Sequence, residues 1–206
     1  MLARAHAHKI TRTVLLCVGV LVILVGASDM VTRLAHNVFP ENAASVAFGP
    51  AITTLAQPLV PARLDIPAIG VHATVEQVVV KADGSMGTPH NFTDVGWYSL
   101  GVKPGEPGNA VIDGHVNNAL TTAGVFEHLG DLKAGDYVTV SDTGGHALVY
   151  KVGQVERYGA DSAPLSDIFA TAGPSQLVLI TCDGDWVQAK HSFDKRLVVY
   201  ASLATR

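Results

Sequence analysis

Leu177-Val178-Leu179-Ile180-Thr181-Cys182-Asp183-Gly184 is an apolar run that ends in a cysteine and passes at once into an acidic, glycine-containing turn. A short apolar run bounded by turn residues reads as a buried strand. Cys182 then stands where a strand leaves the core and meets solvent, a position from which β scaffolds present chemistry. Two other strand ends carry complementary groups. Ala110-Val111-Ile112-Asp113-Gly114-His115 ends in a histidine, and Arg196-Leu197-Val198-Val199-Tyr200 opens on an arginine. A nucleophilic thiol needs a group that holds it as thiolate or takes its proton, and a donor for the oxyanion. Cys182, His115 and Arg196 supply all three if their strands are neighbours. Otherwise Cys182 is a small buried hydrophobe and Arg196 a solvated edge charge.

From Ala62 onward short apolar runs recur between turn signals, the pattern of a β domain. Candidate strands are Arg63 to Ile66, His72 to Val80, Ala110 to Gly114, Tyr137 to Ser141, Ala147 to Tyr158, Gln176 to Thr181 and Arg196 to Leu203. Ala82-Asp83-Gly84-Ser85 and Asp142-Thr143-Gly144-Gly145 read as hairpin turns. Helix is scarce, confined to Thr122 to Leu129 and a turn around Ser166 to Phe169. Many short strands with one or two short helices predict a mainly all-β fold, a closed barrel or a sandwich.

The N-terminus has a different character. Arg4, Lys9 and Arg12 precede an apolar run, Val14 to Ala27, and no acid stands before it. A basic start followed by an apolar core is an export signal. Residues 1–27 are therefore a signal peptide or an uncleaved membrane helix, with the basic flank on the cytoplasmic side. Residues 28–61, with Pro40, Pro50, Pro58 and Pro61, read as an extracellular linker. Residues 62–206 are left as the exported domain. The net charge of −4 and the lack of basic clusters argue against a nucleic-acid partner. Of the two cysteines, Cys17 lies inside the apolar run and cannot bridge to Cys182. An exported chain with an unpaired thiol has a reason to keep it.

The segments RLDIPAIGVHATV (Arg63 to Val75), DGSMGTP (Asp83 to Pro89), VGWYSLGVKPGEPGNAVIDGHVN (Val95 to Asn117), VFEHLGDLKAGDYVTV (Val125 to Val140) and LITCDG (Leu179 to Gly184) together resemble the sortases. These are cysteine transpeptidases of Gram-positive bacteria, and the likeness is greatest to class F. The family's TLxTC signature falls on Val178-Leu179-Ile180-Thr181-Cys182, with Val in place of the first Thr. The resemblance implies an eight-stranded β-barrel held at the cell membrane with its catalytic domain outside. It implies Cys182 as nucleophile, His115 as acid/base, Arg196 as oxyanion donor and Thr181 as a substrate-binding residue. It implies no cofactor. The reaction would cleave an LPxTG-like sorting signal of a secreted protein through a thioacyl-enzyme and pass the protein to a cell-wall amine. If water resolves the intermediate instead, the enzyme is a cysteine protease. No DPW-like lid motif of the class C kind stands between Ser28 and Pro61.

Asp113 lies two residues before His115, so on a regular strand both side chains point the same way. Its carboxylate would favour an imidazolium at His115, and that in turn a thiolate at Cys182. The alternative is that Asp113 makes a turn hydrogen bond. Trp97 and Tyr98 either line a peptide groove or fill the core. The other histidines (His6, His8, His36, His72, His90, His128, His146, His191) fit no metal-ligand spacing. Asp183 and Asp185 shape a turn rather than bind calcium. Two rivals remain: another exported cysteine peptidase or transpeptidase, and a non-catalytic β-barrel binding module with Cys182 as a core thiol. The order His, Cys, Arg and the absence of an SHGC-like context disfavour the first. The second predicts an unreactive thiol.

Overall fold

The computed structural model describes residues 57–117 and 123–204. The expected membrane segment, most of the linker and Cys17 lie outside the described residues. Among the described residues no helix is long and apolar enough to cross a membrane.

Eight strands form: β1 (Arg63–Ile66), β2 (Val71–Val78), β3 (Val95–Tyr98), β4 (Gly108–Gly114), β5 (Tyr137–Ser141), β6 (Ala147–Gly159), β7 (Ser175–Val187) and β8 (Ser192–Leu203). They close into a barrel in the order β1-β2-β3-β4-β7-β8-β6-β5. The pairs β2–β3 and β4–β7 are parallel and the rest antiparallel. The expected closed, mainly β architecture is therefore present. Among the described residues helix is limited to one turn, Leu165–Ile168, and three 3-10 segments.

Side chains on a strand alternate between faces, and in β7 and β8 the alternation sorts the chain into two cores. Leu177, Leu179, Leu197 and Val199 face the barrel interior, together with Trp97, Phe126 and Tyr150. Val178 and Val198 face outward, where Val111 and Ile168 cover them. Each fully buried aliphatic side chain contributes about 1.5–3 kcal/mol. Val178 is completely buried in this outer cluster, an apolar setting that suits valine. Trp97 belongs to the interior, and its indole N–H donates to the Val102 carbonyl at 3.2 Å. Tyr98, the next residue along β3, packs edge-on against Phe169 of the outer cluster, 5.6 Å between ring centres.

Four sequence expectations need correction. Val95–Tyr98 is a strand, β3, although only four residues long and interrupted by Gly96. Cys182 does not end its strand: β7 runs on to Val187 and β8 starts at Ser192, so the two form a long hairpin arm. The residues Asp183-Gly184-Asp185 make a bulge in that arm, not the expected turn. Gly184 takes a φ of +82°, which a residue with a side chain adopts only under strain. The expected helix from Thr122 to Leu129 is absent over its described part, where turns lead to a 3-10 segment, Leu129–Asp131.

Candidate active site

The register of β7 against β8 brings two of the three chemical groups together. Cys182 stands directly opposite Arg196 in the antiparallel ladder. Side chains of such a pair have Cβ atoms about 4.5–5.5 Å apart on one face of the sheet. Both belong to the outward-facing set that includes Ile180 and Val198, so the site lies on the outside of the barrel wall. The third group arrives across the parallel pair. Asp113 of β4 is paired with Ile180 of β7. Two residues further along the chain from each of these lie His115, just past the end of β4, and Cys182, and both line the same groove. The structure thus gathers His115, Cys182 and Arg196, with Asp113, around one open groove of about 1510 Å³.

His115 is fixed from several sides. Its Nε2 is 3.1 Å from the Pro89 carbonyl. A carbonyl only accepts, so Nε2 carries the hydrogen, and in that tautomer Nδ1 is the nitrogen able to accept a proton. The Phe92 ring lies against the imidazole at 4.6 Å between centres. Its backbone carbonyl accepts from the Phe126 N–H at 2.9 Å. Gly124 is required here, because a Cβ on it would collide with the His115 carbonyl. Pro89 and Phe92 were not singled out from sequence, because a loop residue's partner is set by the barrel's closure.

Thr181 sits on the opposite face of β7 from Cys182. It is buried, and its hydroxyl donates to the Gly114 carbonyl at 2.8 Å. The hydroxyl is committed to tying β7 to the residue before His115.

Arg196 is half-buried. Its Nη1 donates to the carbonyls of Phe193 and Lys195 at 3.0 and 2.8 Å, and its Nη2 to Ser192 Oγ at 3.0 Å. A guanidinium has five N–H donors, so donors remain for an incoming oxyanion. Burial pushes the Cys182 thiol up, the Arg196 guanidinium pulls it down and the Asp113 charge pushes it up again. The net direction is upward, which favours thiol over thiolate. Cys182 is a free thiol.

Asp113 makes no hydrogen bond to His115. Its Oδ1 is buried without a partner against β3, where Gly96 leaves room that any Cβ would fill. Burial pushes its carboxyl up to about 7. The expected support for an imidazolium is therefore weaker than the sequence spacing implied. Asp183 faces away from the groove and pairs with Arg157 at 3.0 Å. Asp185 donates its backbone N–H to Asp194 at 2.8 Å. Among the described residues no cluster of His, Cys, Asp and Glu is arranged to hold a metal. His191 is exposed on the groove's rim, with a left-handed φ of +46°.

The groove floor is the outer face of β4, β7 and β8. Met86, Phe92, Leu100, Leu165, Phe169 and Trp186 stand around it. Leu100, Leu165 and Trp186 are more than half exposed, at 66%, 64% and 52%. An exposed apolar rim on a soluble surface marks a binding site.

Among solved structures the chain is similar to a lid mutant of sortase A from Corynebacterium diphtheriae, with a TM-score of 0.54 and 24% identity over 74% of each chain. It is similar to sortase C-1 from Actinomyces oris, with a TM-score of 0.54 and 24% identity over 72% of this chain and 77% of that one. It is also similar to a Clostridium perfringens sortase D5 transpeptidase, with a TM-score of 0.52 and 20% identity over 70% and 79%. At these identities the likeness establishes the fold. A comparison with curated protein sequences finds no match. The sortase domain family matches residues 64–204, which is nearly the whole described barrel and well over half of the chain. The chain therefore belongs to the sortase family of cysteine transpeptidases.

Proposed function

We propose that this sortase is class F-like, and that it cleaves an LPxTG-like sorting signal of secreted proteins and passes them to a cell-wall amine. Cys182 is the nucleophile, His115 the acid/base and Arg196 the oxyanion donor. The cross-strand pairing of Cys182 with Arg196, with His115 one step past the β4–β7 ladder, carries this reading. The groove exceeds the ~300–1,000 Å³ usual for small ligands and suits an extended peptide.

The chemistry follows from the arrangement. His115 takes the thiol proton at Nδ1 as Cys182 Sγ attacks the Thr carbonyl of the peptide. The carbonyl oxygen gains negative charge, which the free donors of Arg196 stabilise. The C–N bond then breaks, the proton moves from His115 to the leaving amine, and a thioacyl-enzyme remains. An acceptor amine attacks this thioester, and Cys182 leaves as the thiol. The quoted segments from Arg63 to Gly184 support the class F assignment. The basic and apolar N-terminus supports residues 1–27 as a signal peptide or signal-anchor helix, residues 28–61 as a linker and residues 62–206 as an extracellular catalytic domain.

The test follows intact mass with an LPxTG-type peptide and excess amine, for the wild type and Cys182→Ala. A thioacyl adduct on the wild type alone, passed on to the amine, is the expected result. A thiol that forms no adduct and resists alkylation at neutral pH would favour the binding module instead.

A further inference from the structure

β2 and β3 run parallel, so residues 79–94 between them must double back along the barrel. The end of this segment comes down beside Glu76, because β3 enters next to Val75 and Glu76. The Glu76 carboxylate gathers it in. It accepts from the His90 backbone N–H at 3.2 and 3.1 Å, from His90 Nδ1 at 2.7 Å and from the Asn91 N–H at 3.5 Å. The hydrogen bonds from His90 hold Glu76 below its ordinary value, so it is ionised at neutral pH.

The same few residues meet His115 on their other side. Pro89 offers its carbonyl to Nε2, and Phe92 lays its ring against the imidazole. Residues 89–92 are thus clamped between a carboxylate on β2 and the acid/base at the end of β4. Nothing else among the described residues hydrogen-bonds to the imidazole of His115. A loop carbonyl that drifted would release Nε2 and let the ring take the other tautomer, with its hydrogen on the nitrogen that must accept the thiol proton.

We propose that Glu76 is the positioning residue for His115: by holding His90 and Asn91 it sets the Pro89 carbonyl and the Phe92 ring, and so fixes which imidazole nitrogen carries the hydrogen. The proposal rests on the reading of His115 as acid/base, but its structural half stands without it. Glu76 touches no reacting atom and acts only through the segment it holds.

The experiment uses the full-length protein and its Glu76→Ala and Glu76→Gln variants. The His115 tautomer is read from imidazole nitrogen shifts, and acylation by an LPxTG-type peptide from intact mass. Glu76→Ala is expected to mix the two tautomers and to lower kcat on the order of tenfold, with KM within about twofold. Glu76→Gln keeps an acceptor for the His90 N–H and is expected to retain the Nε2–H tautomer and most of the rate. A Glu76→Ala protein with the wild-type tautomer overturns the proposal, even if its melting temperature falls. Should Glu76→Ala fail to fold, Phe92→Leu loosens the same segment from the other side, and a wild-type tautomer and rate there overturn it equally. A tautomer that responds in a protein that never acylates supports the positioning and removes the sortase chemistry; an unresponsive tautomer in a protein that acylates does the reverse.

Discussion

Asp113→Asn probes the electrostatics of the groove floor. The Asp113 carboxyl is pushed from an ordinary 3.8 up to about 7 by burial. Between those values the folded protein holds a proton that the unfolded chain has released. Where the native state binds more protons, stability falls as pH rises. The contribution of Asp113 is complete below the unfolded value and is lost as pH climbs through about 7. Each unit is worth ~1.4 kcal/mol, so a separation of ~3 units sets a ceiling of ~4 kcal/mol. Asp113 is only half-buried beside an open groove, and water there brings the expectation to about 2 kcal/mol. Asparagine has nearly the same shape and does not ionise. Urea denaturation of both proteins at about pH 5 and about pH 8 gives the comparison. About a third of the window lies below about pH 5, so the variant should gain ~1 kcal/mol on the wild type across that range. Glu76 and Lys81, whose charges reach Asp113, are common to both proteins and cancel. A difference that is flat in pH, or that moves toward the wild type as pH rises, refutes the reasoning. It would mean a carboxylate paired in the folded state, as with an imidazolium at His115.

The same substitution removes a charge that pushes the Cys182 thiol up, so the alkylation profile of Cys182 should move to lower pH. Thr181→Val keeps the side chain's shape but leaves the buried Gly114 carbonyl without its donor. Stability should drop by ~1–2 kcal/mol, read as a melting temperature lower by ~3–6 °C. An unchanged melting temperature would mean that the hydroxyl contributes nothing there. Arg196→Lys keeps the charge and loses the fork of donors, so kcat should fall by ~10²–10³ with little change in KM. A wild-type kcat in steady-state transpeptidation would take Arg196 out of the oxyanion role.

The three chemical residues were legible because each stands at the edge of an apolar run, and such runs survive as strands whatever their order. What the sequence could not show was which strands are neighbours. The parallel pair β4–β7 joins segments far apart in the chain and the pair β2–β3 depends on the crossover of residues 79–94, and nothing local encodes either. β3 escaped notice because Gly96 breaks a run of four residues, yet the glycine is there to make room for Asp113. Asp183-Gly184-Asp185 has the composition of a turn, and a bulge uses the same residues for the same reason, a backbone that must turn left-handed. Only the continuing ladder to Phe193 and Ser192 tells the two apart. Glu76 and Phe92 carried no sequence signal, because their importance lies in what the crossover segment touches after the barrel closes.

The two halves of the site hang on different kinds of joint. Cys182 and Arg196 share one hairpin, contiguous in the chain, so any bending of that arm carries both together and preserves their spacing. His115 reaches them only across the β4–β7 seam, whose two strands are linked through everything between Gly114 and Ser175. Thermal or chemical loosening that parts this seam separates the acid/base from the nucleophile while the nucleophile keeps its arginine. Such a protein would still own a reactive sulfur and an anion-binding guanidinium, and would have lost only the proton's route between them. Loss of that seam is thus expected to cost turnover before it costs thiol chemistry.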